Sequence, residues 1–117
     1  MKEEALPSIS KVIRKSKISP EQIIDIVAKN CKVKPEEIVS KGKTQDIAEA
    51  RHIVCGIMKH EFGFTLKFIG KTVGGRDHST ALNSTQVFKN RLQFEDGYQD
   101  LVNKIMDDIN DEINYLC

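Results

Sequence analysis

The chain has 117 residues, of which 39% are hydrophobic and 30% charged. That length suits one domain with its own core, and no run approaches the roughly 18 uninterrupted apolar residues that a membrane span requires, so a membrane role is not expected. The formal charge of +1 conceals an asymmetry: residues 1–92 carry 17 Lys/Arg against 10 Asp/Glu, whereas residues 93–117 carry Lys104 alone against seven acids. A polyanion is therefore attracted to one part of the surface and repelled by another.

The opening "MKEEALPSIS" has acids and a proline where a secretory signal has an apolar run, which predicts a cytoplasmic protein. Cys31, Cys55 and Cys117 are odd in number and form no C-x-x-C pair, which argues against a disulfide framework and a structural zinc site. Cys31 and Cys55 read as small buried hydrophobes, and Cys117 as a terminal thiol. Apolar residues recur at three- and four-residue intervals without strand-like alternation, so the expected fold is all-α, a compact bundle of about six helices.

Residues 1–17, with Lys11, Arg14, Lys15 and Lys17, lack a sustained apolar stripe and read as a basic, partly disordered arm; the domain proper is expected over 18–117. The first helix begins at "SPEQIIDIVAKNC", where Ser19 can cap, Pro20 suits the first turn and Gln22 completes a capping box. Ile23, Ile24, Val27 and Cys31 then face inward. A short helix follows Pro35. After the basic loop "SKGKT", Thr44 is placed to cap a helix whose Ile47, Ala50, Val54, Ile57, Met58 and Phe62 form an inward stripe. Arg51, His52 and Lys59 fall on the other side, which predicts a cationic face, and Gly63 ends the helix.

Thr65 can cap a further short helix, "LKFIGKTV". Gly74 and Gly75 then break the chain, because paired glycines accept the positive φ that a sharp reversal needs. A long helix restarts near Asp77 and runs to about Phe94. Beyond Gly97 a last helix places Tyr98, Leu101, Val102, Ile105, Ile109, Ile113 and Leu116 in register, with its acids outside.

A short helix, a glycine-containing turn and a longer second helix make a helix-turn-helix, whose second helix enters the DNA major groove N-terminus first. Ala81, Thr85, Phe88 and Leu92 share a packing side, and Ser79, Asn83, Gln86 and Asn90 share a polar one. Hydroxyls, amides and carboxylates are the groups that pair with base edges, and the free N–H groups of a helix start suit a phosphate. The same residues also fit a purely local role, with Asp77 as an N-cap supported by Arg76 and Thr80. Three other constellations fail. "GKT" at 70–72 lacks the glycine that a phosphate-binding loop requires where Thr65 stands. Asp77 and His78 are adjacent and diverge on a helix. His52 and Cys55 have no further metal ligands at suitable spacing. No catalytic set, metal or cofactor is expected.

"GGRDHST", with the upstream "SKGKT" and "AEARH" and the first-helix pattern "SPEQIIDIVAKNCKVKPEEIVSK", resembles the C-terminal DNA-binding domain of the bacterial chromosomal replication initiator DnaA over about residues 18–117. The resemblance implies a recognition helix over 77–94 in the major groove and a basic loop over 41–45 at the minor groove of a short, non-palindromic box. Carried over residue by residue, it implies base contacts from Asp77, His78 and Ser79, phosphate contacts from Thr80, Lys59 and Arg51, Lys43 in the place of the minor-groove arginine and Lys67 at the approach to DNA. The polar side of the helix adds Asn83 to the expected base contacts, and charge adds Lys41, His52 and Arg76 to the expected phosphate contacts. Leu66 lies where the family's first helix-turn-helix helix approaches DNA. The loop departs from the arginine-rich pattern: Gly42, Lys43, Thr44 and Gln45 occupy it, with Asp46 and Glu49 beyond. Lysine is a strongly hydrated point charge, less suited than arginine to a narrow minor groove. The resemblance takes in no nucleotide-binding ATPase domain, so these residues are not expected to hydrolyse ATP by themselves.

The expected function is sequence-specific double-stranded DNA binding by a non-enzymatic monomer associated with the nucleoid, in replication initiation or its regulation, with a replication protein as a possible partner. The alternative is a protein-interaction adaptor that keeps the fold with little DNA affinity.

Overall fold

A computed structural model describes residues 18–116 as six helices: α1 (Pro20–Cys31), α2 (Pro35–Ile38), α3 (Gln45–His60), α4 (Leu66–Thr72), α5 (His78–Phe94) and α6 (Asp96–Leu116). The expectations for residues 1–17 and for the Leu116 and Cys117 side chains fall outside what is described. The all-α expectation holds throughout these residues. No helix among them is long and apolar enough to cross a membrane.

Local chemistry sets the helix starts. Ser19 and Gln22 form the reciprocal capping box, with Gln22 N to Ser19 Oγ at 3.2 Å and Ser19 N to Gln22 Oε1 at 2.8 Å. Thr65 Oγ1 accepts the Phe68 amide at 3.1 Å, and Asp77 Oδ1 accepts the Thr80 amide at 2.9 Å. Thr44 stands at the N-cap of α3 but makes no side-chain cap bond; the loop before it is tied down by Arg51 instead. Gly63, Gly74 and Gly75 all take positive φ. Two of these turns close by bonds reaching back six residues, Phe64 N to Met58 O at 3.1 Å and Arg76 N to Gly70 O at 2.8 Å. Gly97, expected to precede the last helix, lies inside its first turn. Only Glu95, in an extended conformation, separates α5 from α6.

The core forms around α3, in which every residue from Ile53 to Met58 is buried. It packs against α1, α2, α4 and most extensively α5, while α6 covers α1 and α5. All six residues of the inward stripe expected in α3 and the turn after it are buried, as are Ile69 and Val73 around α4 and Tyr98, Val102, Ile105, Ile109 and Ile113 in α6. Burial pushes the Cys31 and Cys55 thiols up to about 11, which keeps both protonated at neutral pH.

Gly56 sits where α3 meets α5. A Cβ there would lie 2.1 Å from Phe88 Cγ and 2.2 Å from its Cδ2, so the ring rests directly on the α3 backbone. Gly56→Ala is expected to destabilise the fold by about 1–3 kcal/mol through overpacking. Urea denaturation should show a lower midpoint at unchanged m-value.

Candidate nucleic-acid interface

α4, the turn Val73–Asp77 and α5 form the helix-turn-helix. α4 seats closely against that turn: a Cβ on Gly70 would lie 2.2 Å from Arg76 O. Position 74 requires glycine twice over, because its φ is +101° and a Cβ would approach Val39 O to 2.2 Å.

α5 divides cleanly into two sides. Ala81, Ser84, Thr85 and Phe88 are buried, while His78, Ser79, Thr80, Asn83, Gln86 and Asn90 are exposed. The two buried hydroxyls are satisfied: Ser84 Oγ lies 3.0 Å from His52 Nδ1, and Thr85 Oγ1 donates to Leu82 O at 2.7 Å. Asp77 takes the local capping role. Hydrogen bonding from the Thr80 amide, then from its hydroxyl, holds the exposed carboxyl below its ordinary range, so it is ionised at the start of α5. Capping does not exhaust a carboxylate with about four lone-pair sites.

Lys67, Lys71, Gly75, Arg76, Asp77 and His78 line an open concavity of about 490 Å³ at the N-terminus of α5. Both lysines are exposed, one turn apart on α4. Sequence reasoning named Lys67 and passed over Lys71, although the four-residue spacing was there to be used. Lys41 and Lys43 are exposed on the loop before α3, and Lys59 near the end of α3.

The expected cationic face of Arg51, His52 and Lys59 does not form. Arg51 is 7% exposed; its Nε donates to Ile38 O at 2.7 Å, and its Nη2 lies 3.1–3.2 Å from the carbonyls of Glu37, Ser40 and Gly42. Burial and then the neighbouring Arg76 push its guanidinium below the ordinary value. Arg51 thus shapes the basic loop from inside, its guanidinium bridging four carbonyls of the α2–α3 turn. His52 is half-buried against α5, and burial, then Arg51 and Arg91, hold its imidazole below the usual 6.5. Arg76 also turns inward, donating Nη1 to Val73 O and Nη2 to Ser40 O, the latter at 2.8 Å. Among the described residues no group of three or more His, Cys, Asp or Glu is placed to hold a metal ion.

A family profile described as "Bacterial dnaA protein helix-turn-helix" matches residues 20–87, more than half of the chain and inclusive of "GGRDHST". The chain belongs to the bacterial DnaA helix-turn-helix family. The chromosomal replication initiator protein DnaA of Ureaplasma parvum is 38% identical over 90 residues, covering 77% of this chain and 20% of that protein. Those of a Synechocystis species and of Gloeothece citriformis are 32% and 30% identical over 70% and 80% of this chain, again against 18% and 20% of the relative. The chain spans about one fifth of the length of these DnaA relatives. Within the family match, α4 and α5 supply the helix-turn-helix, and α1 to α3 carry the scaffold and the basic loop.

Two outcomes follow for this DnaA-type scaffold. Arg51→Met keeps the apolar stem but leaves carbonyls of the α2–α3 loop without their donor, and should cost about 1–3 kcal/mol in a thermal melt. For His52, the unfolded chain takes up a proton near pH 6.5 while the folded chain resists it, so the unfolded state binds more protons below that value and stability falls as pH drops through it. The urea midpoint should be lower at about pH 5.5 than at about pH 7.5, and His52→Asn should flatten that difference.

Proposed function

We propose that the chain is a non-enzymatic double-stranded-DNA-binding module that occupies DnaA-type boxes, in replication initiation or its regulation. The observation that carries this reading is the exposed polar side of α5, whose capped N-terminus opens beside Lys67 and Lys71. The start of α5 enters the major groove, and Asp77, His78, Ser79 and Asn83 meet base edges: imidazole, hydroxyl and amide with acceptor or donor patterns, and the carboxylate with a cytosine amino group. Lys43 reaches the adjacent minor groove. Lys41, Lys59, Lys67, Lys71 and Thr80 meet phosphates.

A single reading helix suits a non-palindromic site bound by a monomer. Lysines supply most of the affinity, so the observed constant should fall with salt at a slope of about 0.9 per phosphate neutralised.

Fluorescence anisotropy on a duplex carrying a DnaA-type box and on a scrambled duplex, each at two salt concentrations, tests the proposal. The box should bind more tightly, and both affinities should weaken as salt rises. His78→Ala should erode the preference by about 1–3 kcal/mol, whereas Lys59→Ala should weaken both duplexes alike. Equal losses on the two duplexes for His78→Ala would count against base reading. Absence of binding to either at low salt would point to a protein partner instead.

A further inference from the structure

Two guanidinium groups from different elements converge on one backbone oxygen. Ser40 O accepts from Arg51 Nη2 at 3.1 Å and from Arg76 Nη2 at 2.8 Å, which its two lone pairs allow. Arg51 belongs to α3, and Arg76 to the turn that opens α5. Arg76 Nη1 also holds Val73 O within that turn, and Gly74 closes against Val39 O, the carbonyl next to Ser40. The loop and the helix-turn-helix are therefore joined by two neighbouring contacts, one of charge-assisted hydrogen bonds and one of bare backbone packing.

The join falls at a particular place. Ser40 precedes Lys41 and Lys43 by one and three residues, and Arg76 precedes Asp77 and His78 by one and two. Each lever from the anchor to a reading residue is at most about 11 Å of chain. We infer that Arg76 is a positioning residue that fixes the spacing between the loop lysines and the reading end of α5, and so sets how far apart the two halves of a DNA site must lie. This rests on the DNA-binding reading above. The guanidinium is suited to the task because a planar fork serves two carbonyls at once, which a lysine ammonium on its flexible stem does not. Its nitrogens face Val73 and Ser40, so its contribution to binding runs through Lys43 and His78 instead of through a phosphate.

The test uses the full chain and Arg76→Lys, which retains the charge and loses the fork. In the free protein, hydrogen exchange of the Gly42 amide, which Ser40 Oγ accepts at 3.0 Å, should accelerate by about tenfold or more, with α1 and α6 unchanged. Unchanged loop exchange would overturn the inference whether or not DNA binds. On the box duplex, Lys43→Ala should cost about tenfold in the wild-type background and under about twofold beside Arg76→Lys, where the loop no longer holds register. The same loss in both backgrounds would make Arg76 an ordinary cation and sink the idea. A wild type without box preference would refute the DNA-binding reading, with the exchange experiment still deciding the strut. Should Arg76→Lys fail to fold, Arg76→Gln, which keeps one amide donor, is expected to give the same loop acceleration.

Discussion

The arrangement of the surface depends on Phe88 lying on Gly56. α5 has few apolar residues with which to find its place: of its buried positions only Ala81 and Phe88 are hydrophobic, and Ser84 and Thr85 need hydrogen-bond partners. A broad apolar stripe would fix the rotation of a helix by area alone. Here one ring against bare backbone does so, aided by the Ser84–His52 pair. Once Ala81, Thr85 and Phe88 point inward, the 3.6-residue period forces Ser79, Asn83, Gln86 and Asn90 outward. The orientation of the polar side is thus a consequence of packing on the opposite side, and a change in the core at Gly56 is felt at the surface.

Charge is divided along the same helix. Towards its C-terminus Arg91 pairs with Glu49 at 2.8 Å and Glu95 at 3.0 Å, and its guanidinium carbon lies 4.2 Å over the Tyr98 ring. On α6, Lys104 pairs with Asp108 at 2.8 Å. These cations are committed to the protein. At the other end of α5, eleven residues or about 16 Å back along the axis from Phe88, stand Asp77, Lys67 and Lys71. The acidic helix packs on α1 and α5, whereas α4 packs on α3 and α5 and turns Lys67 and Lys71 toward the concavity beside Asp77.

Much of this was legible in the sequence because it is local. The Ser19–Gln22 box, the Thr65 and Asp77 caps and the positive-φ glycines each follow from residues within a few positions of one another. The inward stripes follow from period. What could not be read were contacts made across the chain. Arg51 lies on the side of α3 that the periodicity marks as polar, yet it is buried, because the carbonyls it serves lie 9 to 14 residues away in a turn whose path the sequence does not announce. Arg76 reaches 36 residues back. Nothing local marks Gly56 as the place where Phe88, 32 residues on, rests against bare backbone. Charge type is visible in a sequence, but the direction in which a long side chain such as Arg51 or Arg76 turns is not.

The order of "GGRDHST" becomes intelligible once those contacts are known. Gly74 and Gly75 reverse the chain, and Gly74 lets it touch Val39. Arg76 ties the reversal to Ser40, and Asp77 caps the helix that follows. Only then come His78 and Ser79, exposed at the first two positions of α5. Positional error grows with the number of unconstrained bonds between an anchor and the group it places. Turn, anchor, cap and presented side chains stand in immediate succession, so few free torsions lie between the scaffold and His78. Separating them by even a few residues would keep every chemical group and lose the precision with which they are held.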